Sequence, residues 1–540
     1  MSDFNDLSKA PKKMTSKLRL FVPYLFLVAV ALWSVWPVAA KIKSSLPIGH
    51  EDVLLTWIIN ENIEKIPNDI PNLFNGNIFF PYKNTMAYSD LFLPSSLISF
   101  FPVKMLGSYL VAFNFSLILG QILTALVVYL WFKELTKDTS ASILGSVAFI
   151  FSQIRMHYYV HIHTFIFQWL FLSFFFLWKY TKDNKPWRLY AASIFLILQF
   201  WESPLPVFWI FSFAAILLLP KFDKLKQNLK HILLASAMVI FATLPLINAY
   251  YSVSNQFNYV RSIREAAHFA LSPDSLITTF FSPGLFVLSV ISIVFLVKNK
   301  FNKKDIELKW ILPLFSIGLI MALGPVLKWQ GGTVKLFGNI FIPLPYGIFY
   351  YVIPGFGALR TPSRWLILFA FSLSALIALA LSKYRGKYKR FLFLLGLMLA
   401  IFGGTRIQKV TPIPNTDNYP PVYKWLKDAE GDAVLELPIY TSADGSKYPL
   451  EFYRMLYSLY HKKNLVNGAS GFDPPPWQNL VKDISEVFPD SILEKRLRET
   501  GVDYVIVHKN QYGIEKLKEL SIWVEKRVVY EDKNTQVIKL

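Results

Sequence analysis

The chain has 540 residues, of which 54% are hydrophobic and only 17% are charged. A soluble domain carries about 25% charged residues, so this balance points to a polytopic membrane protein. The chain has no cysteine, which excludes disulfides, thiolate nucleophiles and Cys-based metal sites. Its net charge of +20 comes largely from Lys and Arg in short turns between apolar stretches. This distribution is typical of membrane topology rather than of nucleic-acid binding.

The N-terminal segment, residues 1–17, is polar and basic, which places it in the cytoplasm. The first apolar span, about Leu18 to Ala40, is too long for the apolar region of a signal peptide and lacks a clear cleavage site. We therefore expect a retained membrane helix that carries the chain out, followed by an extracytoplasmic loop over residues 41–108.

The extracytoplasmic loop contains two predicted interfacial helices. Apolar residues from Leu54 to Ile66 recur at helical spacing, and the residues between them are polar, which predicts an amphipathic helix from Glu51 to Ile66 lying in the membrane interface. Asp90 is placed to cap a second interfacial helix that runs through Phe101.

Ten further apolar stretches follow, each near the length that crosses a hydrocarbon core of about 30 Å. With the first span they predict eleven membrane helices, the later ones near residues 109–132, 139–156, 164–180, 187–201, 204–220, 231–251, 277–297, 310–327, 365–382 and 391–405. The five turns predicted to face the cytoplasm, around 133–137, 179–188, 221–230, 298–309 and 383–390, are all basic, as this topology requires.

The last part of the chain, residues 406–540, loses the long apolar runs and follows a Pro-rich linker. An odd number of spans places it outside the cell membrane as a small α/β domain. Its predicted strands are 434–437, 504–507 and 527–530, and its predicted helices are 450–461, 478–487, 491–500 and 514–520. The predicted domains are thus the segment 1–17, a membrane domain 18–405 that includes the loop 41–108, and the domain 406–540.

Glu51 and Asp52 are the first candidate site residues. A carboxylate at the membrane face can act as a general base or hold a divalent metal ion. The alternative is structural, because acids at the start of a helix also favour its positive end. Asp90, near the end of the same loop, is a further acidic candidate.

Basic residues that the positive-inside rule does not explain form a second group of candidates. Arginine binds phosphate as a bidentate fork, so guanidinium groups on the outer side suit a phosphate or pyrophosphate headgroup. The alternative is snorkelling or pairing with the loop carboxylates. The group comprises Arg155, Arg261, Arg264, Arg360 and Arg364.

Three histidines follow the third span. His157 and His161 have i,i+4 spacing and would share a helix face, as metal ligands can, while His163 lies close by. A zinc site would need a further ligand from elsewhere, and histidines at a helix–water boundary also serve as interfacial hydrogen-bonding groups. We count His161 and His163 among the candidate substrate-binding residues.

These features resemble the GT-C superfamily of membrane glycosyltransferases. The resemblance rests on the long loop opening with His50-Glu51-Asp52, on the stretch from Phe149 to His157 that leads to His161 and His163, and on Gly355-Phe356-Gly357-Ala358-Leu359-Arg360-Thr361-Pro362-Ser363-Arg364 before a late helix. The C-terminal stretches Val434 to Pro438 and Gly501 to His508 complete it.

The resemblance implies inverting transfer of a sugar from a polyprenyl-phosphate-linked donor to an extracytoplasmic glycan, lipid or protein. It makes Asp52 the expected base, Glu51 its partner, and Arg360 and Arg364 the groups that hold the lipid phosphate. The loop motif is Glu-Asp rather than Asp-x-Asp, so we expect either no cofactor or a divalent metal, Mg²⁺ or Mn²⁺, on Glu51 and Asp52. The expected partners are the membrane lipid and the polyprenyl-phosphate sugar, with no nucleic acid.

A non-enzymatic alternative also fits the composition: a transporter or an assembly factor for lipid-linked glycans. A transporter would carry ionisable residues or broken helices near the bilayer midplane. Few charges lie inside the predicted spans, and the polar residues gather at their outer ends. This distribution favours interfacial chemistry in a multi-pass protein of the cell membrane.

Overall fold

The computed structural model describes residues 12–258, 261–299, 307–524 and 527–540. Most of the predicted cytoplasmic segment 1–17 lies outside the described residues, as do Lys300, Lys303 and Lys304 of one predicted basic turn. Within the described residues the chain is mainly helical, with a smaller α/β region at its C-terminal end. The predicted fold class, a polytopic helical membrane protein with a C-terminal α/β region, is confirmed.

In the described part of the chain the first and third predicted spans are each divided by a second, short helix, Trp36–Ala40 and Gln153–Met156, and each of the eleven spans contains one main helix. The main helices are Lys12–Ser34, Leu110–Thr136, Thr139–Ile150, Gln168–Asp183, Trp187–Glu202, Val207–Leu218, Leu229–Phe257, Pro283–Lys298, Leu308–Ala322, Leu366–Lys383 and Lys389–Phe402. Four helical segments are long and apolar enough to cross a membrane by length and composition: Leu110–Thr136, Ile162–Asp183, Leu229–Phe257 and Pro362–Lys383. Several others are shorter than predicted, and Thr139–Ile150 ends early because the chain turns there into the histidine-bearing segment.

Helix Leu366–Lys383 lies at the centre of the membrane region, and all its residues from Leu366 to Leu381 are buried. Small residues let its neighbours approach closely. A Cβ added at Gly318 would come 2.6 Å from the backbone nitrogen of Phe369, and one at Gly145 would come 2.8 Å from the Cβ of Ala378. Glycine at these two positions therefore sets the packing of the helices around Leu366–Lys383.

The first predicted interfacial helix forms, over Glu51–Lys65, but it does not expose a polar face. Its residues from Asp52 to Ile63 are buried, since the C-terminal helix Pro449–His461 and helix Leu93–Leu106 cover it. Asn60 donates a side-chain hydrogen bond to the Tyr109 carbonyl at 2.9 Å, and Asn62 donates one to the Leu91 carbonyl. The polar residues of this helix therefore form hydrogen bonds inside the protein. The prediction that the helix lies in the membrane interface is wrong.

The second predicted loop helix begins later than expected, at Leu93, and runs to Leu106. Phe92, not Asp90, occupies the residue before it, and no side chain caps it. Asp90 instead turns toward the membrane helices, where its carboxylate accepts a hydrogen bond from Ser203. The predicted capping role of Asp90 is therefore wrong.

The C-terminal region contains a five-stranded sheet in the spatial order Val528–Glu531, Thr535–Lys539, Tyr504–His508, Ala433–Leu437 and Asn464–Leu465. The first two pairings are antiparallel and the last two are parallel. Every residue of Ala433–Leu437 and Tyr504–His508 is buried, as expected where both faces of a sheet are covered. The covering helices are Pro421–Asp428, Pro449–His461, Pro475–Val487, Ser491–Thr500 and Ile514–Val524.

Short elements complete the fold. The remaining helices are Trp36–Ala40, Gln153–Met156, Phe222–Gln227, Ile263–His268, Pro273–Thr278 and Pro345–Val352, and the remaining strands are Ser45–Leu46, Lys328–Trp329, Gly332–Thr333, Lys335–Leu336, Ile340–Phe341 and Thr411–Pro412.

The loop 41–108 and the C-terminal region share one hydrophobic core. Strand Ser45–Leu46 pairs antiparallel with Thr411–Pro412 in the linker. The Phe79 and Phe80 amides donate hydrogen bonds to the carbonyls of Asn467 and Leu465, beside the edge strand of the sheet. Segments far apart in sequence are thus joined at one end of the membrane helices, which we call the loop end.

Candidate active site

Glu51 and His161 form a hydrogen-bonded pair at the loop end. Glu51 is the first residue of helix Glu51–Lys65, and His161 lies in the connection between the third and fourth membrane helices. The distance from His161 Nε2 to Glu51 Oε2 is 2.7 Å, and half of the Glu51 side chain (51%) is exposed. The hydrogen bond from His161 lowers the pKa of Glu51, and the charges of Arg364 and Arg360 add to this effect. Glu51 is therefore ionised and accessible.

Asp52 points away from this pair, into its own loop. Its Oδ2 accepts hydrogen bonds from the Ile48 and Gly49 amides at 2.7 and 3.2 Å, and its Oδ1 accepts one from the His50 amide at 2.7 Å. The side chain has no exposed surface, and burial raises its pKa although the three amide bonds oppose the change. A carboxylate held in this way shapes the backbone before Glu51 and cannot reach an acceptor hydroxyl without losing these bonds. Of the two neighbouring carboxylates, Glu51 is accessible at the loop end and Asp52 is not.

Asp90 lies near a second histidine. Its Oδ1 accepts a hydrogen bond from Ser203 Oγ at 2.9 Å, and its Oδ2 is 3.4 Å from His163 Nδ1, a contact that does not reach hydrogen-bond geometry. Burial raises the pKa of Asp90 to about 6, against the lowering effects of the Ser203 hydrogen bond and of the charges of Arg364, Arg261 and Arg360. Asp90 is thus a carboxyl group that changes its ionisation just below neutral pH.

Arg360 and Arg364 are the cations that act on both carboxylates. Arg364 lies in the single-turn helix Pro362–Trp365, and its buried Nε has no hydrogen-bond partner among the described residues. Arg360 is exposed, with its guanidinium carbon 5.9 Å from the centre of the Phe269 ring. A buried guanidinium nitrogen without an acceptor is suited to an incoming anion.

Arg261 joins the same group through the C-terminal region. Its Nη2 donates a hydrogen bond to the Gly471 carbonyl at 2.8 Å, and its Nη1 lies 3.4 Å from Glu265 Oε2. The turn-rich stretch that contains Gly471 therefore covers part of the cluster from the C-terminal side.

Two of the predicted phosphate-binding arginines lie apart from the cluster. Arg155 is fully buried, its guanidinium donates to the Phe165 carbonyl, and its central carbon is 4.1 Å from the centre of the Phe165 ring. Arg264 is exposed on helix Ile263–His268, and none of its contacts in the described structure connects it to the cluster. The Nη1 of Arg155 is also buried without a hydrogen-bond partner among the described residues, and the assignment of Arg155 to substrate binding stays a prediction.

The three histidines do not share a helix face. Helix Gln153–Met156 ends before His157, and the chain turns before His161 and His163. His157 is exposed and packs on Phe280, with ring centres 4.9 Å apart. The predicted i,i+4 ligand pair is therefore absent from the geometry.

Three residues that were not among the predicted site residues form buried hydrogen bonds. Tyr158 Oη and Ser363 Oγ are 2.9 Å apart, and this hydrogen bond joins the histidine-bearing segment to the arginine-bearing turn. Glu202 is fully buried and accepts hydrogen bonds from the amide and hydroxyl of Ser95. Their only sequence signal is their position: Tyr158 stands between His157 and His161, and Ser363 stands between Arg360 and Arg364.

The donor set of Glu51 and Asp52 does not fit a divalent metal ion. Mg²⁺ requires oxygen ligands in near-octahedral geometry. Both carboxylate oxygens of Asp52 already accept hydrogen bonds from backbone amides, and Oε2 of Glu51 is bound to His161. Within the described ranges no group of three or more His, Asp or Glu side chains is placed to hold a metal.

No family model and no curated protein sequence matches the chain. Among solved structures it is similar to the arabinofuranosyltransferase AftD from Mycobacteria, with 13% identity, a TM-score of 0.56 and coverage of 91% of this chain and 35% of that one. It is also similar to ArnT from Cupriavidus metallidurans bound to undecaprenyl phosphate, with 10% identity, a TM-score of 0.51 and coverage of 96% and 98% of the two chains. The apo form of ArnT gives 10% identity, a TM-score of 0.50 and 98% coverage of both.

The chain spans about a third of the length of AftD but nearly all of ArnT. At these identities the similarity concerns the fold. The chain therefore shares its fold with ArnT and with part of AftD, in agreement with the fold that its resemblance to the GT-C superfamily implies.

Proposed function

We propose that the chain is an integral membrane glycosyltransferase that moves a sugar, with inversion, from a polyprenyl-phosphate-linked donor to an extracytoplasmic glycan, lipid or protein. The observation that carries this proposal is the half-exposed Glu51 carboxylate, which His161 holds beside the arginine pair Arg360 and Arg364. The similarity to ArnT, which binds undecaprenyl phosphate, supports a lipid-phosphate donor.

In the proposed reaction Glu51 is the general base. It takes the proton of an acceptor hydroxyl while the acceptor oxygen bonds to the anomeric carbon of the donor sugar. The bond from that carbon to the phosphate oxygen breaks, and its electron pair leaves on the polyprenyl phosphate. Arg360 and Arg364 stabilise the charge on this leaving group, and a single displacement inverts the anomeric centre.

Asp90 and His163 are proposed to bind the donor sugar. A carboxyl group with a pKa of about 6 can accept or donate a hydrogen bond to a sugar hydroxyl. Arg261 links this part of the cluster to the C-terminal region through Gly471. The step we propose uses no metal ion, because the donor set described above does not fit one.

We further propose a multi-pass protein of the cell membrane with a cytoplasmic N-terminus and an extracytoplasmic C-terminal region. The basic turns at the end opposite the loop end support this orientation. The lipid-linked donor and the acceptor would then meet Glu51 at the outer surface.

The test uses the full-length protein in lipid nanodiscs with a panel of undecaprenyl-phosphate sugars. Slow donor hydrolysis, with water as the acceptor, releases undecaprenyl phosphate without requiring a known acceptor. We expect release by the wild type and a 10²- to 10⁴-fold loss in Glu51→Gln, since this is the range contributed by a general base. Glu486→Gln, which changes an exposed acid in the C-terminal region, is the matched control.

Addition of a chelator should leave the release unchanged. Release that survives in Glu51→Gln would contradict the assignment of the base. Binding of undecaprenyl phosphate without any turnover, across the panel and with added lipid and glycan acceptors, would favour the transporter or assembly-factor alternative.

A further inference from the structure

A groove of about 390 Å³ lies beside the candidate site, between the loop 41–108 and the linker to the C-terminal region. Two of its lining side chains are cationic and none is acidic. The groove is lined by Pro47, Ile48, Tyr159, Arg406, Ile407, Gln408, Lys409 and Thr411.

Backbone contacts hold the groove open. The pairing of Ser45–Leu46 with Thr411–Pro412 brings the linker against the loop. The Ile407 amide donates a hydrogen bond to the Ser34 carbonyl at 3.0 Å, which ties the linker to the end of the first helix. Asp52 fixes the opposite wall by accepting the Ile48 amide at 2.7 Å. These three contacts fix the two walls of the groove.

The cations in the groove are not neutralised. Within the described ranges neither Arg406 nor Lys409 forms an ion pair with a carboxylate. The guanidinium carbon of Arg406 lies 4.5 Å from the centre of the Trp33 ring, a contact that orients the group without cancelling its charge. Two unpaired cations in one groove create a positive potential that suits an anionic ligand.

The aromatic residues beside the groove place it at the level of lipid headgroups. Trp33 and Trp36 stand at the end of the first membrane helix, with 42% and 53% of their surfaces exposed. Exposed tryptophans at a helix end are typical of the membrane–water interface. This level favours the phosphate of a lipid headgroup as the anion that the cations of the groove would meet.

Two residues that line the groove are close in sequence to the candidate base and its histidine partner. Ile48 is three residues before Glu51, and Tyr159 is two residues before His161, the partner of Glu51. We propose that the groove binds the phosphate of a lipid-anchored acceptor, so that a hydroxyl of the same molecule lies at Glu51. This assignment rests on the proposed glycosyltransferase function and names its acceptor as a phosphate-bearing lipid.

The experiment uses the full-length protein in phosphatidylcholine nanodiscs with phosphatidic acid that carries a diazirine in one acyl chain. Photocrosslinking is measured with and without unlabelled phosphatidic acid or inorganic phosphate as competitor. The variants are the double change Arg406→Gln with Lys409→Gln, the charge-preserving Arg406→Lys with Lys409→Arg, and the control Lys495→Gln on an exposed C-terminal helix.

We expect the glutamine double variant to lower competable crosslinking at least tenfold, because it removes two charge-assisted hydrogen bonds to phosphate. The charge-preserving pair should retain most of the crosslinking, the control should retain all of it, and wild-type crosslinks should map to peptides around residues 406–409. Undecaprenyl phosphate binding, measured in parallel, should be the same in all variants.

Equal crosslinking in the glutamine double variant would overturn the proposal. Competition by inorganic phosphate as effective as that by phosphatidic acid would also overturn it, since the site would then recognise free phosphate. If the wild type binds phosphatidic acid in the groove but no undecaprenyl phosphate, the proposed glycosyltransferase function fails and the acceptor role fails with it, while lipid binding in the groove stands.

Discussion

The hydroxyl groups of Tyr158 and Ser363 are 2.9 Å apart, although 205 positions separate them in the chain. Tyr158 belongs to the segment that carries His161, and Ser363 belongs to the turn that carries Arg364. This buried hydrogen bond therefore sets the position of the glutamate–histidine pair relative to the cations.

Tyr158→Phe should weaken this alignment with little loss of stability. One neutral hydrogen bond contributes about 1 kcal/mol to stability, so the unfolding temperature should fall by only a few degrees. We expect a larger effect on the turnover of donor hydrolysis than on undecaprenyl phosphate binding. If the unfolding temperature instead fell as far as it does when a core residue is truncated, the effect of Tyr158 on turnover would come from folding alone.

Asp52→Asn should destabilise the protein more than Glu51→Gln does. The new amide group cannot accept all three backbone hydrogen bonds that the buried carboxylate accepts, which costs about 2 to 4 kcal/mol. Thermal unfolding in detergent at neutral pH measures the difference. Glu51→Gln should unfold like the wild type and lose only turnover. The reverse order would show that the three amide hydrogen bonds to Asp52 contribute little to stability.

His161→Gln should shift the acid limb of the pH–rate profile. The hydrogen bond from His161 lowers the pKa of Glu51, so its loss raises that pKa and protonates the base at a higher pH. The measurement is donor hydrolysis as a function of pH, with His157→Gln as the control because His157 packs on Phe280 instead. An unchanged acid limb would show that the ionisation seen in the pH–rate profile is not that of Glu51.

Asp90→Asn should stabilise the protein above pH 6. The folded pKa of about 6 exceeds the ordinary value of 3.8, so the folded state binds the extra proton and loses stability as pH rises between these two values. The loss is complete above pH 6 and reaches about 3 kcal/mol at most. Unfolding temperatures of wild type and variant should therefore diverge from pH 4 to pH 6. A constant difference would place the ionisation elsewhere.

Arg364→Gln should weaken binding of undecaprenyl phosphate at least tenfold, since a charge-assisted hydrogen bond to phosphate would be lost. Arg264→Gln is the matched control, because Arg264 lies on an exposed face outside the cluster. Binding of radiolabelled undecaprenyl phosphate to protein in nanodiscs measures both. Equal binding by the two variants would contradict the role of Arg364.

Local sequence patterns predicted most of the elements. Each of the eleven apolar spans contains one main helix, and the predicted C-terminal strands and helices formed within a few residues of their expected bounds. Hydrophobic periodicity and length are properties of neighbouring residues, so they can be read without tertiary contacts. Strands Asn464–Leu465 and Thr535–Lys539 and helix Pro421–Asp428 were not predicted, and this helix begins within the Pro-rich stretch that was predicted to be a linker.

The candidate site was predictable in part. Seven of the predicted residues lie in one cluster at the loop end, and each was selected because its charge was unusual for its position beside a membrane. They are Glu51, Asp90, His161, His163, Arg261, Arg360 and Arg364. Arg155 met the same criterion and does not belong to the cluster. Its guanidinium packs on Phe165, a contact that no charge pattern reveals.

The sequence by itself determined that this is a helical membrane protein with an α/β region and a charged cluster at the helix ends. Only the tertiary structure decided which of two adjacent carboxylates faces that cluster. Glu51 faces it, because hydrogen bonds from the amides of Ile48, Gly49 and His50 hold the Asp52 carboxylate inside its own loop. Only the tertiary structure joined Ser45–Leu46 to Thr411–Pro412 and so formed the basic groove. Such choices depend on backbone hydrogen bonds and on contacts between distant segments, whereas composition and periodicity report only on local preference.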